Sequence, residues 1–276
     1  MFQIHVVKHI DEPAGHEEAR VIVDGYESLY ELDHGEFLHC ADAFRSLERF
    51  EESVGASADP FGDIGDSIWR CHAENMDVVE LDAGLYIQPL ASASMEPPSA
   101  PSVIYIDPFS AFGDGRHPST SLCLHFLVGH MKAFSASERA ALSVLDAGAG
   151  TGILSIAAEK LGAGLIDAVE LHGAAAENAR RNARINGCGR VIVRQGDLLT
   201  VGFENEYDIV LANLISDVII SCIGVLAPLV RPGGVMIASG IGRMRAAEVE
   251  ERLCANGLRI RDLALLDGWM GYLLTR

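Results

Sequence analysis

The chain has 276 residues, 49% of them apolar, with 21 basic and 39 acidic side chains and a formal charge of −18. The apolar share and a positive mean hydropathy exclude wholesale disorder, and the length suits one large domain or two modest ones. The charge argues against a nucleic-acid surface, which needs clustered Lys and Arg, and it is unevenly spread: through Leu90 there are 20 acidic and 5 basic residues, a net −15, leaving −3 for the other 186.

In chain order, Phe2–Val7 reads as a strand, and Ala41–Val54 as a helix with Phe44, Leu47 and Phe50 on one face. Val78–Leu81 with Leu85–Gln88 reads as a hairpin around Asp82-Ala83-Gly84. Ala91–Ser102 is rich in Ala, Ser and Pro and reads as a linker, so the chain divides into an acidic unit over 1–90, a linker over 91–102 and a second unit over 103–276. In that second unit short apolar strands alternate with amphipathic helices. Strands are expected at Ser143–Asp146, Leu165–Glu170, Arg190–Gln195, Tyr207–Asn213 and Gly234–Gly240, with Arg231-Pro232-Gly233-Gly234 as the turn into the last. Helices are expected at Gly152–Leu161, Ala174–Asn186, Asp217–Leu229 and Ala246–Asn256, and a final hairpin at Leu258–Asp267 and Trp269–Leu274. The predicted fold is α/β, a Rossmann-like, mostly parallel sheet with an antiparallel last strand, preceded by a smaller α+β unit.

The apolar stretch Leu214–Val230 is interrupted by Asp217 and is short of the roughly 20 residues that span a bilayer, so no membrane association is expected. The first residues lack the basic start and apolar run of a signal peptide, and the six cysteines show no Cys-x-x-Cys pair. A cytoplasmic protein with reduced, mostly buried thiols is expected, without a metal site.

The chemistry centres on Leu145-Asp146-Ala147-Gly148-Ala149-Gly150-Thr151-Gly152, between the first strand and first helix of the second unit. Glycines there let a ligand approach the backbone and allow positive φ. Gly150 and Gly152 are separated by one residue rather than the two of the dinucleotide fingerprint, which favours a ligand without a pyrophosphate and disfavours an NAD-linked dehydrogenase. Glu170 ends the second strand, where a carboxylate accepts ribose hydroxyls. Asp197 follows the third, within reach of an adenine amino group, and Asn213 ends the fourth. Ligands in open parallel sheets bind at the carboxyl ends of strands, so Asp146, Gly148, Gly150, Gly152, Glu170, Asp197 and Asn213 converge on one pocket for an adenosyl group. The series resembles methyltransferases that use S-adenosylmethionine.

Upstream, Ile106-Asp107-Pro108-Phe109-Ser110-Ala111-Phe112-Gly113-Asp114-Gly115-Arg116-His117-Pro118-Ser119-Thr120 is similar to the signature of the PrmA family, the ribosomal protein L-11 methyltransferases. With Ala212-Asn213-Leu214, Ser239-Gly240-Ile241 and Trp269, the resemblance runs from about Trp69 to Arg276. It implies cofactor contacts from Thr120, Gly148, Glu170 and Asn213, and methyl transfer to a lysine or terminal amine of a basic protein, with ribosomal protein L-11 as the candidate partner. Asn213 would orient the amine, and His117 with Asp114 would close the cofactor side. The sequence departs from the family pattern at Asp114, usually Thr, and at Glu170, usually Asp; for Asp114 a helix N-cap is the plainer reading. The family's N-terminal domain recognises the ribosomal protein, which would give the acidic residues 1–90 a cationic substrate to attract. Two alternatives stay open: a related methyltransferase for another protein or small amine, and a cofactor-binding module without catalysis.

Overall fold

The computed structural model describes residues 3–4, 23–24, 79–81, 85–89, 103–107 and 111–276. The expected helix at 41–54 and the Pro-rich segment at 91–102 lie outside these residues. Of the first expected strand, β1 (Gln3–Ile4) is described, paired antiparallel with β2 (Val23–Asp24). β3 (Val79–Leu81) and β4 (Leu85–Pro89) form the expected hairpin. β5 (Val103–Ile106) then adds to β4 in parallel, so one three-stranded sheet takes strands from both sides of the Pro-rich segment.

The rest is built on a seven-stranded sheet. It contains β6 (Ser143–Ala147), β7 (Leu165–Glu170), β8 (Val191–Gln195), β9 (Tyr207–Asn213), β10 (Val230–Gly242), β11 (Arg259–Leu266) and β12 (Trp269–Thr275), in the order β11-β12-β10-β9-β6-β7-β8. Pairing is parallel from β10 to β8, and β12 runs antiparallel between β10 and β11. This is the Rossmann-like, mostly parallel sheet with an antiparallel last strand expected from the alternation of elements. β10 begins earlier than expected, at Val230, because Val230 already pairs with Tyr207 and Arg231–Gly234 is accommodated as a register shift before Val235 pairs with Ile209.

Successive strand residues face opposite layers, so a central strand covered on both faces must be apolar throughout. Val144, Ile209, Leu211, Val235 and Ile237 enter one core with α1 (Pro118–Met131) and α3 (Ile153–Lys160). Leu145, Val210, Ala212, Met236 and Ala238 enter the other with α5 (Ser216–Leu229) and α6 (Ala246–Ala255). α4 (Gly173–Ile185) packs its Ala175, Ala176, Ala179 and Ala183 inward, and α2 (Ala136–Arg139) is a single turn held by a Ser135/Glu138 capping box. Among the described cysteines Cys123 and Cys222 are buried, Cys188 is half-buried and Cys254 is exposed; all four are free thiols. No described helix is long and apolar enough to cross a membrane.

From β6 the chain steps outward to β7 and β8, then returns to the other side of β6 for β9 and β10. The carboxyl ends of β6 and β9 therefore flank the point where strand order reverses, which is where such sheets leave a crevice.

Candidate active site

The glycine loop leaves β6 at Ala147 and enters α3 at Ile153, with Gly148, Gly150 and Gly152 at φ +80, +54 and +81. Gly152 is the left-handed N-cap of α3 and supplies no side-chain cap. Asp146, the penultimate residue of β6, is buried; its Oδ2 accepts from Ser155 N–H (3.0 Å) and Ser155 Oγ (2.5 Å), and its Oδ1 has no partner among the described residues. Burial pushes its carboxyl up to about 6 from 3.8, against the two Ser155 hydrogen bonds and with a smaller push from Glu170. Glu170 closes the loop from β7. Its Oε2 accepts from Gly150 N–H and its Oε1 from His172 N–H, both at 2.9 Å.

The raised Asp146 value has a testable consequence. The folded protein holds this proton more tightly than the unfolded chain, so the stability that the group contributes is complete below about pH 4 and is lost as pH rises through about 6. Asp146→Asn removes that dependence. Its stability relative to the parent is expected to rise between pH 4 and 6 by up to about 3 kcal/mol and to stay level above, read by urea denaturation across that range. A difference that does not vary with pH overturns the assignment.

The segment before α1 folds onto this loop. Thr151 N–H donates to Phe112 O (3.0 Å) and Thr151 Oγ1 to Gly113 O (2.5 Å). The approach at Gly150 is so close that an added Cβ would lie 2.3 Å from Phe112 O. From the other side comes Leu214, next to Asn213. A Cβ on Gly148 would meet Leu214 Cδ2 at 2.4 Å, and one on Gly240 would meet Leu214 O at 2.4 Å. The Asn213–Leu214 corner is thus wedged between the glycine loop and the Ser239-Gly240 bend of β10.

Asn213 Nδ2 donates to Oγ1 of the fully buried Thr120 on α1 (3.1 Å), while Asn213 Oδ1 is buried without a partner among the described residues. His117 caps α1: its Nδ1 accepts from Ser119 N–H at 3.3 Å and lies 2.8 Å from Ser119 Oγ. That assigns the ring proton to Nε2. Burial lowers the His117 pKa below the ordinary imidazole value against the opposing charge of Asp114, so the ring is neutral at pH 7. Its edges meet Phe112 (centroids 5.0 Å) and Trp269 (4.7 Å). The N-cap is therefore His117 and not Asp114, whose Oδ1 instead accepts from Arg116 N–H (3.0 Å) within its own turn. The cap falls at His117 because Pro118 occupies the first helical position, where its missing N–H costs nothing. Asp197 is exposed beyond β8, its Oδ1 accepting from Leu199 N–H (2.9 Å). Among the described residues no group of His, Cys, Asp and Glu could hold a metal ion.

One sheet edge therefore gathers a glycine loop, a carboxylate locked to it, an amide with an unused buried oxygen, and a histidine-aromatic cluster. A family model for ribosomal protein L11 methyltransferase (PrmA) matches residues 42–276. The chain belongs to this family. The match begins upstream of Trp69, where the motif resemblance starts. The ribosomal protein L11 methyltransferase of Exiguobacterium sp. is 38% identical over 199 residues, 72% of this chain and 61% of that protein. That of Brevibacillus brevis is 40% identical over 169 residues, 61% of this chain and 51% of that protein. The chain thus spans about half to three-fifths of the length of these relatives. A crystal structure of ribosomal protein L11 methylase from Lactobacillus delbrueckii subsp. bulgaricus superposes with a TM-score of 0.63 at 27% identity, covering 73% of this chain and 99% of that one.

Sequence reasoning missed several residues of this family member's site. α1, which brings Thr120 to Asn213, was not expected. It buries Leu122, Cys123, Leu124, Phe126, Leu127 and Val128 over most of its circumference, and the narrow outer face of Ser121, His125 and Gly129 is too weakly polar to set a period; the His117-Pro118 start was its available signal. Ser155, the partner of Asp146, was also missed. So was the series Asn178, Asn182 and Asn186 along α4 and its C-cap, whose spacing of four is plain in the sequence.

Proposed function

We propose that the chain is an S-adenosylmethionine-dependent N-methyltransferase acting on amine nitrogens, lysine side chain or N-terminus, of a basic protein, with ribosomal protein L11 as the candidate. The observation that carries this reading is Asn213. Its Nδ2 is committed to Thr120, and its buried Oδ1 is left for a donor from outside the chain, as an amine N–H would be.

The residues present fit the cofactor. Gly148, Gly150 and Gly152, all at positive φ, let Leu214, Phe112 and Ala179 pack directly against the loop and fix the backbone offered to a ligand. Glu170 spends one hydrogen bond on each oxygen and keeps lone pairs for two ribose hydroxyls. Asp146 Oδ1 is a second buried acceptor without a partner, and Asp197 keeps an oxygen for an adenine amino group. Thr120 supports the same pocket through Asn213. When bound, S-adenosylmethionine supplies an electrophilic methyl carbon on a sulfonium.

The chain's own part is positioning. Asn213 Oδ1 and neighbouring main-chain carbonyls orient the amine so that its lone pair is aligned for in-line attack. Neutral His117, packed between Phe112 and Trp269, keeps water from that side. An amine entering this partly desolvated site has a lowered pKa and passes its proton to solvent water before attack, without a dedicated base. Residues 1–90, with their net −15, form the substrate-capturing unit, residues 103–276 transfer the methyl group, and the protein works in the cytoplasm. Nucleic acid is not a partner on this reading.

The test is methyl transfer from tritiated S-adenosylmethionine to purified ribosomal protein L11, with mass spectrometry of L11 from cells with and without the chain. Label on L11, with capture that weakens as salt rises, is the expected result. Label on a different protein or small amine favours a related enzyme with a different recognition unit, a reading motivated by residues 1–41 lying outside the family match. No transfer to any acceptor leaves a binding module.

A further inference from the structure

We propose that Asn182 is a positioning residue for the cofactor loop, acting through the main chain of Asp107 and Thr151; the inference rests on the cofactor reading above. β5 pairs with β4 along one edge. Along its other edge the partner is a row of side-chain amides. Asn186 Oδ1 accepts from Tyr105 N–H (2.9 Å) and its Nδ2 donates to Tyr105 O (2.7 Å). One helical turn earlier, Asn182 Oδ1 accepts from Asp107 N–H and its Nδ2 donates to Asp107 O, both at 3.0 Å. A primary amide presents the same acceptor and donor as a peptide group, so α4 stands in for a neighbouring strand. Asn178 Nδ2 adds a bond to Asp107 O (3.1 Å), and Arg181 pairs with the Asp107 carboxylate (2.8 Å).

Asn182 differs from Asn178 and Asn186 in one respect. Its second N–H donates to Thr151 O (2.9 Å), inside the glycine loop, and the side chain is fully buried. Thr151 in turn takes Phe112 and Gly113 through its own N–H and hydroxyl. The chain entering the site is thus fastened to one loop residue twice, at Asp107 through Asn182 and at Phe112–Gly113 directly. Thr151 lies between two glycines at positive φ, and glycine restricts its own backbone least of all residues. An external anchor is what holds such a loop in one shape before a ligand arrives, and pre-organisation of that kind is read out as affinity.

The experiment compares Asn182→Ala with Asn186→Ala. Each removes three hydrogen bonds from the same row, but Asn186 touches no loop atom. By calorimetry with S-adenosylmethionine, Asn182→Ala is expected to weaken binding about tenfold and Asn186→Ala less than about twofold. The KM for the cofactor rises with kcat little changed, since Glu170 and Asn213 are untouched. In the cofactor-free protein the Gly150 and Thr151 amides exchange faster in Asn182→Ala alone. Equal losses in the two variants, or parental affinity and exchange in Asn182→Ala, overturn the proposal. Failure of the parent to bind S-adenosylmethionine refutes the cofactor reading instead, and the exchange contrast still decides the role of Asn182. Asn182→Ser, which keeps a hydroxyl and room for a water, has the same expectation should the alanine variant not fold.

Discussion

Gly150→Ala is expected to lower the affinity for S-adenosylmethionine by about a hundredfold or more and to cost stability as well. Two effects add. Alanine at φ +54 sits in the left-handed region, at about 1–2 kcal/mol. Its Cβ would also stand 2.3 Å from Phe112 O and 3.3 Å from Phe112 C, main-chain atoms that cannot rotate away. Relief requires moving the loop or the Phe112 segment, and either movement breaks Thr151 N–H to Phe112 O and displaces Gly150 N–H from Glu170. Gly187→Ala separates the two effects, since Gly187 has φ +67 but nothing within 4 Å of an added Cβ. That variant should lose stability of the left-handed order alone, with cofactor affinity within about twofold of the parent. Calorimetry and urea denaturation on both proteins make the comparison. Parental affinity in Gly150→Ala would remove the loop from the cofactor site.

Asn213→Ala is expected to depress turnover by about a hundredfold while leaving cofactor affinity within about tenfold. The substitution removes one hydrogen bond, to Thr120, at about 1 kcal/mol, so the fold survives. What disappears is the buried Oδ1 and with it the acceptor that aligns the amine. The reacting atoms must be held near 3–3.5 Å in line, so a loss of orientation appears in kcat rather than in cofactor binding. Single-turnover kinetics with saturating cofactor, beside calorimetry, read the two quantities separately. If both are unchanged, the amine-orienting role is wrong. If affinity falls as far as turnover, Asn213 belongs to the cofactor cradle alone.

Much of this architecture was legible from periodicity. β7 and β9 span the expected residues, and the helices after them differ by a residue or so at their ends, because strands covered on both faces and helices with one apolar stripe leave distinct periods. The glycine loop, Glu170, Asn213 and the His117 segment were equally visible, since each is a local string with its own backbone or chemical demand. β5 carries little strand signal of its own: it is four residues long, follows the Pro-rich segment, and one edge is completed by side chains. α1 escaped because its narrow outer face of Ser121, His125 and Gly129 carries too little polarity to stand out from its apolar sides.

The −18 charge, the strand and helix alternation and the clustering of loop motifs at strand ends are properties of short stretches, and the amino-acid order settles them without reference to the rest of the chain. Which side chain answers which group is a different matter. Asn213 meets Thr120 across 93 residues and Asn182 meets Asp107 across 75, and no local spacing encodes either pairing. Those partners follow from helix packing on the two faces of the sheet. Packing turns a recognisable glycine loop into one with a fixed shape and leaves the Asn213 oxygen buried with a bond still to make.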